Sequence, residues 1–150
     1  MPAETDDAVR TLLDRAAIGD VIQRYARALD RRDWDAVSAC FAPGAYADYG
    51  MFKGDIEEVV AAIRKGVEVF DKTMHFMEPH VVELAGDTAR AETYAVAYHR
   101  RTDGDERKEL IVRLKYTDDL VRDGEAWLIK RRIAEFPLGR EHERVLPQSS

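Results

Sequence analysis

A chain of 150 residues, 45% hydrophobic and 35% charged, is long enough for one domain with a real core and is too apolar to be a disordered chain. The formal net charge of −6 argues against a general nucleic-acid binder, and one cysteine, Cys40, excludes an intramolecular disulfide framework. The acidic start, Met1 to Asp7, has no apolar run of a secretory signal, and no window approaches a membrane span, so a cytoplasmic protein without membrane contact is expected.

Thr5 or Asp6 is placed to cap a first helix. From Ala8 to Leu29 the apolar positions Leu12, Ala16, Ile18, Val21, Ile22, Tyr25, Ala28 and Leu29 recur at helical spacing. Gly19 interrupts them at a cost of about 1 kcal/mol relative to Ala, which points to a close packing contact or a break between two helices. Asp30 stands where this helix stops, facing the negative end of its dipole, and a dry site would disfavour its charge further. Arg31 and Arg32 read as solvated turn residues. Asp33 caps a short second helix through Phe41, which Pro43-Gly44 ends. Ala45 to Tyr49 reads as a short strand and Gly50 to Gly54 as a loop. Asp55 caps a third helix, with Glu58 completing a capping box and Ile56, Val59, Val60, Ile63, Val67 and Phe70 on its apolar face.

Beyond Asp71 the period changes from helical to strand-like. Thr73 to Leu84 is a strand interrupted near Pro79, Gly86-Asp87 is a turn, and Thr88 to Arg101 is a long strand rich in alternating Tyr, Val and Thr. Lys108 to Val121 and Ala126 to Phe136 follow as strands joined by the Asp-Gly hairpin turn at Asp123. Residues 137–150 read as a polar tail outside a core of about 8–136. Three helices followed by successive hairpins predict an α+β domain. Its curved, mostly antiparallel sheet forms a cone that the N-terminal helices close, which makes a natural pocket.

Tyr25-Ala-Arg-Ala-Leu-Asp30-Arg-Arg-Asp-Trp34, Thr73-Met-His75-Phe and Asp123-Gly-Glu-Ala-Trp127-Leu-Ile-Lys-Arg-Arg132, in this layout, resemble the nuclear transport factor 2-like superfamily. The SnoaL-like branch, which includes scytalone dehydratase and hexachlorocyclohexane dehydrochlorinase, looks most similar. The resemblance spans about Ala8 to Phe136 and bears on fold more than on reaction. It implies that Asp30 and His75 pair, with His75 as general base. A histidine has an ordinary pKa near 6.5, and a carboxylate on its other ring nitrogen fixes the tautomer and stabilises the imidazolium. The dehydrochlorinase pattern implies that Arg132 stabilises departing negative charge. Strand alternation puts Arg132 on the face opposite Trp127, Ile129, Arg131 and Ile133, so one arginine points each way and the register decides whether Arg131 or Arg132 faces the pocket. The pattern's lysine in the first helix is absent, with Gly19 and Asp20 in its neighbourhood, which counts against dehydrochlorination itself.

His99, on one face with Thr93, Ala95 and Ala97, resembles a second histidine of scytalone dehydratase. Tyr25, Trp34, Tyr49, Phe52, Met77 and Tyr116 are candidates for lining an aromatic-friendly pocket, each being equally good as core. The expected reaction is elimination, most simply dehydration, on a small apolar cyclic or aromatic molecule, without a cofactor or metal. No dinucleotide or phosphate-loop motif is present, Cys40 stands alone, and His75 and His80 are five apart on a strand. A ketosteroid-isomerase-like or polyketide-cyclase-like enzyme uses the same parts. The isomerase base would fall at Tyr49, beside Asp48, and no acid stands in Leu110 to Tyr116 for its later donor. The rival from another class is a non-catalytic ligand-binding or assembly module. The fold commonly dimerises through its outer sheet face, which Tyr94, Val96 and Tyr98 would supply, so a homodimer or homotrimer is expected.

Overall fold

The computed structural model describes residues 2–78, 80–139 and 141–147. Helix α1 (Pro2–Arg31) extends beyond the predicted span at both ends, so Thr5 and Asp6 lie inside it instead of capping it. Leu12 and Leu13 are exposed, and the continuous buried stripe begins at Ile18 and runs through Val21, Ile22, Tyr25 and Leu29. The earlier half is tethered by charge: Asp14 accepts from the Arg122 guanidinium at 2.6 and 2.8 Å and from Trp127 Nε1 at 3.1 Å.

The end of α1 is a Schellman turn. Arg32 N–H donates to Leu29 O and Asp33 N–H to Ala28 O, both at 3.0 Å, and Arg32 takes a φ of 59°. A side chain in this left-handed region costs about 1–2 kcal/mol. The Arg32 guanidinium uses the position to donate to Val67 O (3.1 Å) and Phe70 O (2.6 Å). Arg32 is therefore no solvated turn residue: it closes the carbonyl end of the third helix.

Asp33 caps α2 (Trp34–Ala39), accepting from Ala36 N–H at 3.1 Å. Strand β1 (Phe41–Asp48) then starts four residues before the expected Ala45, and Pro43-Gly44 falls in its register irregularity between Phe41 and Tyr46. The expected loop contains the short β2 (Lys53–Asp55). Asp55 caps α3 (Ile56–Glu68) by accepting from Glu57 N–H at 3.0 Å, and Ile56, Val59, Val60, Ile63 and Val67 form the buried face.

The remaining strands are β3 (Lys72–Met77), β4 (Val81–Ala85), β5 (Thr88–Asp103), β6 (Glu106–Asp123), β7 (Ala126–Glu135) and β8 (Glu141–Val145). The interruption expected at Pro79 falls on a residue outside the described ones, with β3 and β4 on either side. The sheet runs β2-β1-β7-β6-β5-β3, parallel between β1 and β7 and antiparallel elsewhere. β4 extends the β3 edge along β5, and β8 extends the β7 edge along β6. Residues 141–145 are thus sheet and not tail. Their polar sequence carries no alternation signal; ladder bonds to Lys108–Val112 and the Arg144–Glu109 contact at 2.6 Å hold them.

On β5, Ala89, Ala91, Thr93, Ala95 and Ala97 are buried on one face. Small side chains there leave room between sheet and helices. On the other face Tyr94 is exposed, and so are Met74 and Phe76 of the neighbouring β3.

Gly19 has a packing reason. A Cβ at this position would stand 2.7 Å from His80 Cε1. Gly19→Ala should forfeit the ~1 kcal/mol that alanine ordinarily adds to a helix, because the ring must move. In a His80→Ala background the same substitution should stabilise by about that amount. Urea titration of both pairs checks this, and equal effects in the two backgrounds would remove the contact as the explanation.

Candidate active site

The inner face of the sheet, the second half of α1 and the face of α3 enclose a cavity of about 440 Å³. Most of its wall is apolar: Leu29, Ile63, Val67, Phe70, Leu110, Val112 and Leu114. The polar groups are few and spaced along it. Tyr25, Tyr49 and Tyr116 stand together, His75 and His99 form a second group, and Arg101 and Glu143 a third.

Asp30 and His75 meet. The last turn of α1 lies on β3, and the Asp30 carboxylate accepts from His75 Nδ1 (2.6 Å), His75 N–H (2.9 Å) and Thr73 Oγ1 (3.1 Å). Burial pushes the Asp30 carboxyl up, but the donors from His75 and Thr73 outweigh it and hold it below the ordinary carboxylate value. The upward push expected from the helix end and desolvation is overridden, so Asp30 stays an anion. With Nδ1–H given to Asp30, the lone pair of His75 is on Nε2. His75 lines the cavity, while Asp30 is behind it.

His99 stacks edge-on to His75 with ring centroids 5.6 Å apart, and Phe70 covers it at 4.9 Å. It is buried, and its Nδ1 has no hydrogen-bond partner. Desolvation and the neighbouring His75 lower its pKa to about 4, with backbone groups of Leu110 and Ala97 partly opposing. His99 is then an uncharged ring at neutral pH. The unfolded chain binds this proton near 6.5 and the folded chain near 4, so stability falls as pH drops through that window. A gap of ~2.5 pH units corresponds to a loss of about 3 kcal/mol by the lower limit. Chemical denaturation across the window should show this slope in the parent protein and a flatter one in His99→Gln; equal slopes would contradict it.

At the tyrosine group, the Tyr25 and Tyr49 hydroxyls share a hydrogen bond of 2.6 Å, and Tyr116 packs edge-on to both rings. Phe52 stacks on Tyr49 at 5.4 Å. Burial is the largest influence on Tyr25 and Tyr116 and raises both above the ordinary phenol value, so both are neutral hydroxyls.

Arg132 differs from its expected place. β6 and β7 pair Asp119 with Arg131 and Leu120 with Ile129, so Lys130 is an extra residue in a bulge. The bulge flips the alternation, and Arg132 faces the same interior as Trp127 and Ile129. It does not line the cavity. It lies behind the tyrosines, its guanidinium 4.0 Å from the Tyr116 ring centroid and 4.3 Å from that of Tyr25, in a fork to Asp118 at 2.7 and 2.8 Å. Trp34 and Met77 also miss the cavity: both are half-buried against the core. Asp48 is outside it too, its carboxylate bound to Gly50 N–H at 2.8 Å. Of the pocket candidates, Tyr25, Tyr49, Phe52 and Tyr116 do line it, as do His75 and His99. Sequence reasoning missed Arg101, Asp118 and Arg32. Inward alternation marks Arg101 after His99 and Asp118 after Tyr116; Arg32 carries no sequence signal. Among the described residues no three His, Cys, Asp or Glu side chains cluster as a metal site, and no helix is long and apolar enough to cross a membrane.

The fold is similar to solved structures. A candidate scytalone dehydratase from Novosphingobium aromaticivorans aligns with a TM-score of 0.78 at 18% identity, covering 95% of this chain and 94% of that one. A type 2 hexachlorocyclohexane dehydrochlorinase aligns at 0.76 and 15% identity, covering 95% of each. A candidate aromatic ring hydroxylase from Novosphingobium aromaticivorans aligns at 0.71 and 26% identity, covering 87% and 93%. An uncharacterised Mycobacterium tuberculosis protein, Rv2910c, is 28% identical over 130 residues, 84% of this chain and 87% of its own. These names differ in chemistry, so they do not agree on a reaction. The profile of the SnoaL-like domain matches residues 10–133, most of the chain, and the chain belongs to the SnoaL-like family.

Proposed function

We propose that this protein is a cofactor-independent acid–base lyase acting on a small, apolar, cyclic or aromatic molecule. The observation that carries the reading is the Asp30–His75 contact of 2.6 Å beside a largely apolar cavity. In a non-catalytic ligand-binding or assembly module these side chains would have no need to meet. His75 Nε2 takes a proton from a ring carbon, Asp30 holds the tautomer and stabilises the imidazolium, and the freed electron pair forms the carbon–carbon double bond. The hydroxide on the neighbouring carbon departs and takes the proton back, so the product is water and His75 is regenerated. The Tyr25–Tyr49 pair, whose hydroxyls share one hydrogen bond, is placed to donate one O–H to an oxygen of the substrate, and His99 is a second ring within the same cavity. The dehydratase and dehydrochlorinase names among the structural neighbours, both eliminations, support the same class. An isomerase reading finds no base at Asp48, which lies outside the cavity.

The reading is tested before the natural substrate is found. A panel of cyclic carbonyl compounds, 2-tetralone among them, is incubated with the protein in heavy water, and proton NMR follows loss of the ring methylene signal. The protein should accelerate exchange of at least one compound, and His75→Gln should not. No acceleration across the panel, or equal acceleration by the variant, would count against the base.

A further inference from the structure

Arg101 is the next inward-facing residue after His99 on β5, and it lines the same cavity. It is poorly satisfied. Among the described residues its one carboxylate contact is Nη2 to Glu143 Oε2 at 3.3 Å, and its Nε is buried with no hydrogen-bond partner among them. Other arginines of this chain hold their carboxylates closely: Arg122 on Asp14 at 2.6 Å, Arg132 on Asp118 at 2.7 Å, Arg144 on Glu109 at 2.6 Å. A buried donor left unmade is unfavourable, and the edge formed by Nε and Nη2 fits one carboxylate with two parallel hydrogen bonds. Glu143 occupies half of that edge, from a half-exposed position where an ion pair is weak and easily displaced. The rest of the wall offers a ligand apolar surface, tyrosine hydroxyls and imidazole rings.

We infer that the ligand of this cavity carries a carboxylate, which displaces Glu143 and takes the Nε and Nη2 edge of Arg101 while its ring lies against the apolar wall toward His75. This rests on the proposed acid–base reading for what happens next, but the anion preference is separable from it. Glu143 then acts as a placeholder that keeps the guanidinium oriented when the cavity is empty.

The experiment compares 2-naphthoate with 2-naphthamide, two probes of one shape that differ in charge, by calorimetry at mildly alkaline pH. The parent protein should bind the carboxylate at least about tenfold more tightly, the margin a paired charge-assisted contact supplies. Arg101→Gln should abolish that preference while still binding the amide, Arg101→Lys should keep part of it, and Glu143→Gln should increase it. His75→Gln should leave the preference in place, since the anion is read at Arg101. Equal binding of the two probes, a preference that survives Arg101→Gln, one that disappears in His75→Gln, or no binding of either probe would each overturn the inference. A His75→Gln protein that keeps both the preference and full proton exchange would instead sink the acid–base reading and leave the carboxylate site standing.

Discussion

In the His75→Gln protein, proton exchange on an accepted ring ketone is expected to fall by about 10²–10⁴-fold, the usual contribution of a positioned general base. The fold should persist, because glutamine is close to histidine in size and can occupy the same buried slot. Asp30→Asn should lose nearly as much for a different reason. An amide beside Nδ1 can donate its own N–H, which moves the ring proton to Nε2 and blocks the base. It also removes the negative charge that stabilises the imidazolium. Because the two residues act as a unit, the double variant should be little worse than either single one. Thr73→Val is the structural control. It deletes one donor to the Asp30 carboxylate, at 3.1 Å, and leaves the 2.6 Å contact with His75. Its exchange rate should stay close to the parent's. Additive losses in Asp30→Asn with His75→Gln, or a Thr73→Val loss as large as theirs, would mean that Asp30 only anchors the helix end.

Asp118→Asn is expected to destabilise the fold by about 3–5 kcal/mol, because it strands the Arg132 charge in the interior. That is a large share of the ~5–15 kcal/mol that holds a typical domain folded. Both side chains are completely buried, and the guanidinium makes its paired contacts at 2.7 and 2.8 Å to this carboxylate alone. Burial opposes the Arg132 charge, Asp118 favours it, and the balance keeps the guanidinium protonated. The rings of Tyr25, Tyr116 and Phe41 pack against it, and its Nη1 is buried with no hydrogen-bond partner among the described residues. Replacing both partners, as Arg132→Met with Asp118→Leu, should restore most of the loss, since it removes the charges together. Urea titration of the three variants measures it. An Asp118→Asn loss below about 1 kcal/mol, typical of an exposed pair, would show that the interior can solvate Arg132 some other way. Arg132 is then a support for the tyrosine group from behind, in contrast to its expected place beside a departing anion.

Much of this architecture was legible in one dimension. Helical spacing in α1 and α3, the switch to period two beyond Asp71, and the Asp-Gly turn at Asp123 are local signals, each spelled by side chains within a few residues of one another. They fix the order of elements, and alternation on β5 fixes which residues face inward: Thr93, Ala95, Ala97 and His99 are all buried together. The pairing of Asp30 with His75 was implied by resemblance; distance in the fold brings them to 2.6 Å. Other features had no local signal. β8 is a polar segment whose strand state comes from the free edge of β6. Lys130 inserts one residue into β7, and the inward turn of Arg132 depends on that register, which only the partner strand can set. Arg32 looks like any turn arginine until the carbonyl end of α3 is brought beside it. Arg101 carries the inward alternation of β5, but only the strand pairing and the helices opposite make that face a cavity wall. The sequence by itself determined the three helices, the long strands and the faces of α3 and β5, because those depend on neighbours along the chain. The tertiary structure alone decided which charges are paired and which donors are left unmet, because those depend on neighbours across space.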